Sequence, residues 1–137
     1  MVGNLVDIGR NILTALDTGG FPVTSAFWLR RSSAEVPEGW RLIIATPKVS
    51  EQDARDAYKQ MYDIVLQSYA PQLSPAEQQQ LFRLLAERVT IVSPSEQLVS
   101  TLRTVIGTPP GAVAGIYFSN NVINNVVIDD AYIYRSS

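Results

Sequence analysis

Leu5, Ile8, Ile12, Leu13 and Leu16 recur at helical spacing, Asn4 precedes them, and Gly19-Gly20 follows. This pattern predicts a first helix from about Leu5 to Leu16, capped by Asn4 and stopped by a left-handed glycine. Phe21-Pro22 then leads into Val23 to Arg31, which is rich in β-formers. A polar loop holding Ser32, Ser33, Glu35, Pro37, Glu38 and Gly39 separates that run from Trp40 to Thr46. The two runs read as an antiparallel hairpin. Three further helix starts share one grammar, a serine three residues ahead of an acid: Ser50 with Asp53, Ser74-Pro75 with Glu77, and Ser93-Pro94 with Glu96. The serine caps the first backbone N–H groups, the acid returns the bond, and proline suits the first helical turn.

The first of these helices presents Ala54, Ala57, Tyr58, Met61, Ile64 and Val65 on one face and ends before Pro71. The second buries Leu81, Leu84 and Leu85 and yields to a short strand, Val89 to Val92. The third carries Leu98, Val99, Leu102, Val105 and Ile106 to a stop at Gly107, with Thr108-Pro109-Pro110-Gly111 as a loop. Ala114 to Ser119 and Val126 to Arg135 read as strands, and Asn120, Asn121, Asn124 and Asn125 suit tight turns between them. The resulting order is α-β-β-α-α-β-α-β-β. It predicts a single α+β domain over residues 1–137, with a mostly antiparallel sheet of about five strands and helices packed against one face.

Composition narrows the chemistry more than the fold. The 137 residues include no Cys and no His, which excludes disulfides, thiol nucleophiles, Cys/His zinc sites and imidazole acid-base catalysis. The net charge is -2, and Lys48 and Lys59 are the only lysines, so the cationic groups are nearly all arginine. This is not the footprint of a general nucleic-acid binder. Asp7 and Arg10 interrupt the first apolar stretch, the second residue is Val2, and no apolar run approaches the ~20 residues of a bilayer span. We therefore expect no membrane association and a cytoplasmic location.

Candidate sites are few. A hairpin symmetric about the Glu35-Val36 bond would set Phe27 opposite Ile44 and Leu29 opposite Leu42 on one side. Trp28, Arg30, Ile43 and Arg41 would then share the other, offering a Trp28/Arg30/Arg41 patch, with Arg31 nearby, to an anion, a base or an acidic surface. Asp129-Asp130 interrupts an apolar strand, with Asp130 on one face beside Tyr132 and Tyr134. That carboxylate suits an arginine or a metal, although two acids are too few for a hard-metal cage, and a bulge or protected sheet edge explains them as well. Gly107, Gly111 and Gly115 fall between a helix and a strand, the wrong context for a phosphate loop. No serine lies in a nucleophile elbow or a Ser-x-x-Lys pattern, and Glu35 and Glu38 lie in a polar loop with nothing to raise a pKa.

The stretches Ala15-Leu16 through Gly20-Phe21-Pro22-Val23, Ala26-Phe27-Trp28-Leu29, Trp40-Arg41-Leu42-Ile43-Ile44-Ala45-Thr46-Pro47 and Asp129-Asp130-Ala131-Tyr132-Ile133-Tyr134-Arg135 resemble a group of small uncharacterised bacterial proteins. The resemblance implies a stand-alone bacterial cytoplasmic protein and carries no activity with it.

These readings together predict a non-enzymatic protein-interaction or assembly module, a homo-oligomer or a binder of another protein, with no cofactor and no metal. Tyr117, Tyr132, Tyr134 and Arg135 are its candidate interface, because aromatic and arginine side chains populate interface centres. The alternatives are a nucleic-acid or phosphate binder using the Trp28/Arg30/Arg41 patch, and a histidine-free enzyme using Asp130 with Tyr132 or Tyr134.

Overall fold

The computed structural model describes residues 3–30, 39–51, 54–123 and 126–137. The loop residues Arg31, Ser32, Ser33, Glu35, Pro37 and Glu38, the acid Asp53 and the Asn124-Asn125 turn all lie outside the described residues. The elements follow the expected order: α1 (Gly3–Thr18), β1 (Ser25–Arg30), β2 (Trp40–Ala45), a single turn α2 (Lys48–Glu51), α3 (Ala54–Ser68), a 3-10 turn (Ala70–Gln72), α4 (Pro75–Glu87), β3 (Val89–Val92), α5 (Gln97–Val105), β4 (Ile116–Ile123) and β5 (Val126–Ser136).

Local chemistry accounts for most of the ends. Gly20 takes φ 77° after α1. The Phe21 N–H reaches the Leu16 carbonyl at 2.9 Å and the Gly20 N–H reaches Asp17 at 3.3 Å, the paired bonds of a left-handed C-terminal cap, with Leu16 and Phe21 both buried. Helix α1 begins at Gly3, so Asn4 stands inside the first turn and not at the cap. Ser74 and Glu77 form the reciprocal capping box expected for α4. At α5 the expectation needs correction. Glu96 itself is the N-cap, its Oε2 accepting from Leu98 and Val99, while Ser93 accepts from Ser95 in the preceding turn. Asn120 and Asn121 also depart from the turn expected of them, since both belong to β4.

The five strands form one sheet in the order β3-β2-β1-β5-β4. Every pair is antiparallel except β2 with β3, which are joined through helical segments over 48–87 and pair in parallel. A crossover of this kind returns the chain in the direction it left, which a hairpin cannot do.

Helices lie on both faces of the sheet, not on one as the sequence pattern predicts. Leu13 and Leu16 of α1, Met61 and Val65 of α3, and Leu81 and Leu84 of α4 share a core with Ala26, Trp28, Leu42 and Ile44. On the opposite face Leu98, Val99 and Leu102 of α5 pack with Phe27, Leu29, Ile43, Ala45 and Ile133. The hairpin register pairs Trp28 with Leu42 and Phe27 with Ile43, one residue away from the symmetry expected about Glu35-Val36. A one-residue shift exchanges the faces of a strand.

A bulge between β1 and β5 completes the inner core. The register slips between Ala26 and Phe27, leaving Tyr134 as the additional residue of β5. Tyr134 donates to the Val6 carbonyl of α1 at 2.6 Å and accepts from Trp28 Nε1 at 3.0 Å. Arg135 points to the same helix. Its guanidinium reaches both Asp17 carboxylate oxygens at 3.0 and 2.7 Å, and the carbonyls of Val23 and Ala112. Helix α1 approaches this far because Gly9 has no Cβ; one placed there would collide with the Tyr134 hydroxyl and Trp28 Nε1.

Candidate interaction site at the outer strand

The Trp28/Arg30/Arg41 patch does not assemble. Trp28 is 0% exposed, in the core beneath α1. Arg30 opposes Trp40 in the ladder, whereas Arg41 opposes Leu29 on the other face and donates to Thr90 Oγ1 at 2.9 Å. The shifted register is the cause, because it takes Arg41 away from Trp28 and Arg30.

The candidate interface Tyr117/Tyr132/Tyr134/Arg135 divides in the same way. Tyr134 and Arg135 are 0% and 1% exposed, held inside by the bulge and by their bonds to α1. Burial also pushes the Tyr134 hydroxyl well above the ordinary tyrosine range, so it stays protonated as the donor to the Val6 carbonyl. Tyr132 is partly buried, edge-on to Tyr134 with ring centroids 5.4 Å apart. Tyr117 alone is an exposed surface, at 56%.

What the structure does gather is a cluster across three strands. Arg30 of β1 opposes Asp130 of β5, and Tyr117 of β4 lies diagonally from it, opposite Tyr132. The Tyr117 hydroxyl donates to Asp130 Oδ1 at 2.5 Å; Arg30 Nε donates to Oδ2 at 2.7 Å, and Arg30 Nη2 donates to that same oxygen. The Arg30 guanidinium also lies 6.0 Å from the Trp40 ring centroid. The Tyr117 hydrogen bond, then the Arg30 bond and charge, hold Asp130 below the usual carboxylate range, while the carboxylate pushes the Tyr117 hydroxyl up. A carboxylate with both oxygens engaged and a lowered pKa is a weak general base. Its effect here is mechanical, since it ties the Tyr117 side chain of β4 to β5.

The sequence pattern predicts strand β4 over Ala114 to Ser119, with Tyr117 on it, and misses its continuation through Ile123. Strand β4 runs Ile116–Ile123, pairs with β5, and ends the sheet with no described strand beyond it. Its residues Ile-Tyr-Phe-Ser-Asn-Asn-Val-Ile include no charge and no proline, and Val122 is 66% exposed. The signal available in the sequence was this uncharged run of eight residues.

A separate cleft of about 300 Å³ opens between α1 and α4, lined by Asp7, Asn11, Tyr69 and Glu77 among others. Several of its polar side chains are already engaged: Asp7 with Arg10, Asn11 with Tyr69, and Glu77 in the capping box. Among the described residues no group of three or more acidic side chains is placed to hold a metal ion, and no helix is long and apolar enough to cross a membrane.

Comparison with protein-family models, with curated proteins and with solved structures finds no match to this chain.

Proposed function

We propose that the protein is a non-enzymatic interaction module that takes up an additional β-strand along β4. One observation carries the reading: an eight-residue outer strand without charge or proline, with Tyr117 and Val122 exposed along it. An open strand edge is a row of hydrogen-bonding groups that templates another strand, and proteins that must stay apart shorten, charge or cover such edges. The cluster of Arg30, Asp130 and Tyr117 bears on the same reading, because it pairs the Asp130 carboxylate and ties the Tyr117 hydroxyl back to β5. The bacterial, cytoplasmic setting belongs to this proposal and rests on the sequence resemblance.

A labelled peptide with the sequence of residues 115–124 tests it. Fluorescence anisotropy should show the peptide binding the full chain, and Val122→Lys in the protein should weaken that binding roughly tenfold, equivalent to about 1.4 kcal/mol. Binding that is absent, or indifferent to Val122→Lys, contradicts the proposal.

A further inference from the structure

Building on the strand-uptake reading, we infer that the occupant of β4 is β4 of a second copy of this chain, the two strands running antiparallel about a two-fold axis within the Ser119–Asn121 segment. The backbone of an outer strand accepts an extended segment, so the partner's conformation is set before its sequence is considered. A two-fold interface then requires the patch to be complementary to itself, because each residue meets the image of another residue of the same strand. Charge is the usual obstacle, since like charges directly opposite across strands destabilise the pair. Strand β4 has none, so no antiparallel register of two copies opposes like charges. Apolar residues stand at both ends, Ile116 and Phe118 before the polar centre and Val122 and Ile123 after it. Antiparallel pairing about a central axis therefore brings the apolar end of one copy against the apolar end of the other. The Asp130 carboxylate on the adjacent strand is buried and bound by Arg30 and Tyr117, so it does not spoil the match. The product is one continuous sheet of ten strands, twice the five of each copy, with the two β3 strands as its outer ends.

The chain has no cysteine, so a single introduced thiol reports on one position. Ser119→Cys sits at the proposed axis; Gln79→Cys, on the exposed surface of α4, is the control. Under mild oxidation Ser119→Cys should give at least tenfold more disulfide-linked dimer than Gln79→Cys, and the unsubstituted protein should have twice the mass of the 15.1 kDa chain in native mass spectrometry. A dimeric mass with linkage equal at the two positions places the interface elsewhere and overturns the inference. A single-chain mass at all concentrations, with the 115–124 peptide still bound, also overturns it while leaving strand uptake intact. A single-chain mass with no peptide bound overturns both.

Discussion

The two ends of the sheet are built on opposite plans. Strand β3 is four residues long; on its inner side the Arg88 and Val92 carbonyls accept from Leu42 and Thr46, and on its outer side the Ile91 N–H donates to the Tyr58 hydroxyl of α3 at 2.9 Å. Strand β4 is twice that length, uncharged, and displays Tyr117 and Val122. A short strand capped by a side chain from a helix is a finished edge. A long neutral strand is an edge that either recruits a partner or invites aggregation. The contrast teaches that, among the described residues, a side chain closes the β3 edge and none is seen to close the β4 edge.

The comparison breaks most completely if β4 is made to look like a guarded edge. Val122→Lys should abolish association at micromolar concentration, seen by light scattering, while leaving the secondary structure of the single chain unchanged by circular dichroism, because the side chain is exposed on the single chain. Next in size is the converse experiment at β3. Tyr58→Phe leaves the Ile91 N–H without its hydroxyl and should destabilise the fold by about 1–3 kcal/mol in urea unfolding, without changing the solution mass.

A pH dependence sharpens the account of the cluster. Asp130 has a native pKa below its ordinary value, so its charged form favours the fold. The stabilisation is complete above the unfolded carboxylate pKa of about 3.9 and is lost as pH falls through the lower native value. Unfolding of the parent and of Asp130→Asn should therefore differ near neutral pH and converge in acid; a constant offset across that range would assign the effect to packing. The smallest expected change is in Tyr117→Phe. Removing the hydroxyl should raise the Asp130 pKa toward its usual value in a carbonyl-detected NMR titration, with the fold unchanged.

Elements with local determinants were legible in the sequence. The Ser74-Pro75-Glu77 cap and the Gly19-Gly20 stop rest on bonds within a few residues of one another, and both stand as read; the strand Val89–Val92 also stands as read, although its bonds run to β2 and α3. The hairpin register was not legible, for a physical reason. Strand β1 is buried on both faces, so Ser-Ala-Phe-Trp-Leu-Arg has no polar alternation from which a face could be assigned. Arg135 was read as surface because arginine usually is, and no local signal marks the Tyr134 bulge or the Asp17 carboxylate that waits 118 positions away. The Arg30–Asp130 pair, separated by 100 positions, was invisible for the same reason, although an arginine was among the partners considered for Asp130.

The most direct test of the central claim is the solution mass of the protein by sedimentation equilibrium, taken over a range of concentrations beside Val122→Lys. An interacting β4 edge predicts twice the 15.1 kDa chain mass for the parent and a single-chain mass for the variant. A parent that stays at one chain throughout, or a variant that associates as tightly as the parent, would contradict it.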